Sequence, residues 1–158
     1  MADYFTNFSL VLPLKDATEQ QYALDLAERA ASKRFEAEPA TADLPEDLKD
    51  VLEDWAFETE KDGDNSIWLH SYEGGIDAVC AFIQHLLKKF NPEGRVEFEW
   101  SNDCSKPRLD AYGGGAAVIT ANKIKSMNTS QWLQRQAKSH NHQKSALGSL
   151  TTVRPSDE

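Results

Sequence analysis

Cys104, Lys106 and Arg108 stand close together in Asp103-Cys-Ser-Lys-Pro-Arg108, and Gly113-Gly-Gly115 follows after four residues. A thiol beside two cations has the makings of a nucleophile, because nearby positive charge favours the thiolate. Lys106 and Arg108, divided by Pro107, can instead point together at an anion. A glycine run would let backbone N–H groups approach that anion closely. The binding candidates are therefore Asp103, Cys104, Lys106, Arg108, Gly113, Gly114 and Gly115. The same glycines have a competing explanation as a bulge, or as room for a bulky neighbour such as Trp100. They lack the spacing and the following helix of a P-loop.

A cysteine-dependent hydrolase or transferase needs a base. His70 falls on a predicted strand, His85 on a predicted helix, and His140 and His142 in a polar C-terminal stretch. None lies beside Cys104 in sequence, so no catalytic residue is assigned and no cofactor is expected. His140-Asn-His142 offers two ligands but no nearby Cys, Asp or Glu to complete a tetrahedral site. Asp62, Asp64 and Glu73 lack the spacing of a calcium loop, and a hairpin turn explains Asp62-Gly-Asp-Asn65 better. No metal is expected.

The elements that must position these residues read in order. Phe5–Leu14 alternates like a strand. Asp16 and Thr18 open overlapping capping boxes for a helix whose small face is Ala23, Leu26, Ala27 and Ala30, with Phe35 in its last turn. Residues 36–54 form an acidic insert in which Pro45 starts a short helix carrying Leu48, Leu52 and Trp55. Residues 38–43 read as a mobile linker. Phe57–Lys61 and Ser66–Tyr72 make a hairpin. Ile76, Val79, Cys80, Ile83, Leu86, Leu87 and Phe90 then recur at the spacing of a helix facing a core, ended by Asn91-Pro92. His85 is one step off that stripe, with no partner at ligand spacing. Arg95–Trp100 alternates strictly, with Val96, Phe98 and Trp100 inward, and pairs across a long loop with Ala116–Ala121. Asn128 or Thr129 caps a last short helix.

This order predicts an α+β fold, a ferredoxin-like split βαββαβ sandwich with one extra C-terminal strand and a short helix. Residues 1–136 form a single domain, and residues 137–158 form a flexible basic and polar tail.

From Trp100 through Arg108 and from Tyr112 through Thr120, the chain resembles a small, functionally uncharacterised family of accessory proteins carried by bacteria, plasmids and phages. Its mark is the Cys-Ser-Lys-Pro-Arg loop followed by Gly-Gly-Gly-Ala, and the likeness covers roughly residues 55–133. It implies an accessory role and transfers no catalytic residues.

The 158 residues carry a net charge of −9, unevenly spread. Residues 36–64 hold twelve acids against two bases, whereas residues 121–156 hold six bases and no acid. A whole domain this acidic is a poor generic nucleic-acid binder, although the basic C-terminal segment could touch phosphates. No apolar run approaches the roughly 20 residues of a membrane helix. The start of the chain lacks a signal-peptide pattern, and two cysteines do not make a disulfide framework, so a cytoplasmic protein is expected. The leading expectation is a non-enzymatic accessory domain that binds a protein partner, or an anionic group, through the 101–115 loop. The alternatives are an acidic nucleic-acid mimic or inhibitor using residues 36–64, and a hydrolase or transferase using Cys104.

Overall fold

The computed structural model describes residues 2–108 and 111–147. Its element order is β1 (Tyr4–Pro13), α1 (Ala17–Ser32), α2 (Glu46–Lys49), a 3-10 turn (Leu52–Asp54), β2 (Glu58–Asp62), β3 (Ser66–Ser71), α3 (Ile76–Phe90), β4 (Arg95–Cys104), β5 (Gly113–Thr120), β6 (Ile124–Asn128) and α4 (Thr129–Leu147). The fold is α+β. All strands join one antiparallel six-stranded sheet in the order β2-β3-β1-β4-β5-β6. That order differs from a four-stranded sandwich, because β5 and β6 continue the sheet beyond β4. Two extra strands are present where one was expected, and the last helix has 19 residues where a short one was expected.

Alternation decides which side of the sheet is covered. Phe8, Leu10 and Leu12 of β1 pair with Ser71, Leu69 and Ile67 of β3. Val96, Phe98 and Trp100 of β4 pair with Ile119, Ala117 and Gly115 of β5. These residues share one face and pack on α1 and α3 in a single core. From α1 come Ala23, Leu26, Ala27 and Ala30, and from α3 come Val79, Cys80, Phe82, Ile83, Leu86 and Leu87. Small residues on α1 let that helix approach the sheet closely. Trp55, Phe57 and Phe82 form an aromatic group under the acidic insert, with Trp55 and Phe57 centroids 4.9 Å apart.

Local chemistry fixes the helix ends. Asp16 accepts from the Glu19 N–H, and Glu19 returns a bond to the Lys15 N–H, which is the reciprocal cap of α1. That helix stops at Ser32, leaving Phe35 exposed beyond it. Gly75 precedes α3 in the left-handed region (φ 85°), and a side chain there would press on the backbone of residues 54–57. Asp54 accepts from the Ala78 N–H and supplies the cap that Gly75 cannot. Residues 38–43 were expected to be a linker. They instead form turns against α1, with Thr41 buried and Asp43 facing Arg29 and Lys33 at 3.6 Å.

α4 is capped by Asn128, which accepts from the Gln131 N–H, and continues past the expected end at residue 136. The described side chains of its body are exposed, including Trp132 and Leu133. The tail expected from 137 is therefore helical through Leu147, and its part from residue 148 lies outside the described residues. Among the described residues, no helix is long and apolar enough to cross a membrane.

Candidate functional site

The 101–115 stretch is sheet at both ends. β4 runs on through Cys104, with Tyr4–Asn7 of β1 pairing with Cys104–Ser101. β5 starts at Gly113, which pairs with Asn102. The connection between them is residues 105–112 only, of which Leu109 and Asp110 lie outside the described residues. Tyr112 closes it by donating its hydroxyl to the Cys104 carbonyl at 2.9 Å. Lys106 and Arg108 are exposed there.

The glycines are strand residues. Gly115 lies between Trp100 of β4 and Asn128 of β6, and a Cβ on it would collide with the Trp100 ring. A Cβ on Gly114 would collide with the Trp100 carbonyl, and its N–H donates to Thr129 at 3.2 Å, where α4 begins. The triplet thus packs a tryptophan and a helix start against an interior strand. Cys104 points to the helix-covered side and is buried, at 8% exposure. Among the described residues, no histidine or carboxylate is hydrogen-bonded to its thiol. Asp103 points to the opposite side, where Asn7 donates to it at 3.0 Å. The seven candidates are therefore not brought to one point.

Several acids of the insert are engaged locally. Glu38 and Glu46 lie 2.8 and 3.0 Å from Lys49, whose pKa is raised by the hydrogen bonds to Glu38 and Glu46. Asp47 faces His85, and Asp54 caps α3.

Two histidines gain partners that sequence reading missed. His85 Nδ1 lies 3.1 Å from both Asp47 oxygens, and its Nε2 lies 2.8 Å from the Tyr22 hydroxyl. A carboxylate only accepts, so Nδ1 donates to Asp47, and Nε2 shares a hydrogen bond with the Tyr22 hydroxyl. This chain ties α1, α2 and α3 together. Burial raises the Tyr22 pKa; Arg29 opposes that shift and Asp47 adds to it. His70 sits on the other side of the sheet, where Nε2 is 2.6 Å from Glu60.

That other side is the most distinctive surface. The register there places Glu58 opposite His70 and Glu60 opposite Trp68. Ser9 lies opposite His70 and Val11 opposite Trp68. Glu97 and Glu99 lie opposite Val118 and Ala116. Phe5, Val11, Trp68 and Val118 are exposed there at 38%, 53%, 37% and 37%. Six acids (Glu58, Glu60, Asp62, Glu97, Glu99 and Asp103) share this face with Arg95 and Lys125, so it is acidic with apolar points. The Trp68 indole donates to Ser9 at 2.8 Å and stacks on His70, with ring centroids 3.8 Å apart. Beside them lies a shallow depression of about 460 Å³ lined by Asn7, Ser9, Trp68, His70 and Tyr72. The hairpin turn is three residues, 63–65, one shorter than Asp62–Asn65 suggests in sequence, and that difference sets which residues face one another. On the covered side, β1 and β4 part after Asn7, and a cleft of about 310 Å³ opens between Leu12, Leu86, Phe90 and Val96.

No family model matches the chain, and neither a curated protein nor a solved structure matches it.

Proposed function

We propose that the protein is a non-enzymatic accessory domain that binds a protein partner across its open sheet face, with a basic helical segment of that partner as the occupant. The observation that carries this reading is the uncovered sheet side, where Phe5, Val11, Trp68 and Val118 stand among six carboxylates. An apolar patch rimmed by charge is the usual form of an interaction surface. Acidic charge steers a basic partner and sets its register, while the aromatic and branched residues supply the buried anchor. The 101–115 stretch contributes Asp103 on this face, and Lys106 and Arg108 extend it at the end of β4 as contacts for an acidic or anionic group. The accessory role itself rests on the resemblance carried by the Cys-Ser-Lys-Pro-Arg and Gly-Gly-Gly-Ala motifs. A ferredoxin-like description of β1–α1–β2–β3–α3–β4 belongs to the same proposal. It is supported by the placing of β1 between β3 and β4, with α1 and α3 on one side.

A basic helical peptide tests the reading. A synthetic peptide of residues 129–147 is a suitable probe, because that stretch is helical in the protein, has Arg135, Lys138 and Lys144 and contains no acid. Its affinity for the protein is expected to fall at least about tenfold when Val11→Asp and Trp68→Ala are combined, and to weaken with added salt. Equal affinity of wild type and double variant would refute the proposal, as would no saturable binding at millimolar peptide in low salt.

A further inference from the structure

We infer that Glu58, Glu60 and His70 form a binding site for a divalent transition-metal ion, with zinc the representative ion. One oxygen from each carboxylate and one imidazole nitrogen all lie within 4.8 Å of one another. The register produces this triangle: Glu58 is directly opposite His70, and Glu60 is two residues along the same strand on the same face. One imidazole with two carboxylates is a borderline donor set that suits zinc, manganese or ferrous iron and not calcium.

Three features beyond the acids support a built site. The Trp68 ring lies over the imidazole at 25° to it, and the Trp68 indole is itself anchored to Ser9, so the imidazole is held in place before any ion arrives. Among the described residues, neither Glu58 nor Glu60 is paired with a lysine or arginine; Glu60 has only His70. Two carboxylates this close repel each other, and a divalent cation relieves that repulsion while replacing the hydrogen bond between His70 and Glu60. Finally, one of the donors, His70, lines the depression together with Asn7, Ser9 and Tyr72. With three protein ligands, the ion keeps an open coordination position, and the depression gives a water or a small oxygen-bearing ligand room to fill it.

Calorimetric titration with zinc tests this in a His140→Gln, His142→Gln background, which removes the α4 histidines as competing ligands. One equivalent is expected to bind, with affinity lowered at least about tenfold by His70→Gln and by Glu60→Gln. Titration with copper supplies an independent signal: bound ion should quench Trp68 emission, and His70→Gln should abolish the quenching that Trp68→Phe also removes. Unfolding temperature checks that each variant is folded. Unchanged zinc affinity in folded His70→Gln would overturn the inference, and so would the absence of saturable binding in the background protein. The titration uses no partner or peptide, so its failure is separate from failure of the partner-binding proposal.

Discussion

His85 and His70 each meet a carboxylate and stack on an aromatic ring, yet their ring nitrogens are used differently. His85 has both ring nitrogens engaged, by Asp47 and by Tyr22, and the chain of bonds joins three helices over the covered side of the sheet. His70 is bonded through Nε2 alone among the described residues, beside a second glutamate, under a tryptophan that faces solvent. In the first case every polar valence is spent inside the protein, which is how a structural histidine looks. In the second the protein orients the ring and leaves the neighbouring carboxylates to solvent. Charged or aromatic residues alone do not distinguish function from folding. The informative quantity is how much of their bonding capacity the fold consumes, and the open face is where it consumes least.

Alkaline pH should sharpen this contrast most. Burial pushes the Cys80 thiol up from 9.0 to about 12, with Asp77 and Asp54 adding to the shift. A raised folded-state pKa means the fold prefers the protonated thiol. Its stabilising contribution is therefore complete below pH 9 and is lost as pH rises towards 12, by on the order of 4 kcal/mol at most. Tyr22, also raised, acts in the same direction above pH 10. Urea unfolding at a series of pH values should show this decline, and Cys80→Ala should flatten it.

Truncating the two histidines addresses the comparison itself. His85→Ala leaves Asp47 and Tyr22 without their shared partner and should cost about 2–3 kcal/mol. His70→Ala removes one hydrogen bond, to an exposed Glu60 that water can solvate in its place, and should cost no more than about 1 kcal/mol. Equal losses for the two, measured by urea unfolding, would break the distinction. Gly115→Ala should cost about 1–3 kcal/mol by driving a Cβ into the Trp100 ring. A neutral result there would return the glycine run to a role other than packing. The smallest effect is expected for Lys106→Ala with Arg108→Ala, which should leave stability within about 0.5 kcal/mol of wild type, since both side chains are exposed.

Where periodicity was strong, the sequence already indicated the fold. The stripe from Ile76 to Phe90 matched α3 to the residue, and Val96, Phe98 and Trp100 faced the core as their alternation required. β6 was missed because Ile124-Lys-Ser-Met-Asn128 has no buried residue to set a pattern. The length of α4 was missed for a related reason: a helix that packs almost nothing along its body shows no apolar period. The 101–115 stretch looked like a long loop because glycines and polar residues are loop-like in sequence, whereas here β1 and β6 on either side hold them as strand. His85 could not be paired in advance, since Asp47 and Tyr22 are 38 and 63 residues away. The Glu58–Glu60–His70 triangle was hidden because counting back from a turn at Asp62–Asn65 sets Lys61 opposite Ser66, whereas the strand runs on to Asp62 and the register shifts by one.

The central claim is that function lies on the open sheet face. Amide chemical-shift mapping of the protein with the 129–147 peptide is its most direct test. The account predicts shifts concentrated at Ser9, Val11, Trp68, His70, Glu97 and Glu99, with α1 and α3 unaffected. Shifts confined to residues 105–112, or spread over the helical side, would contradict it.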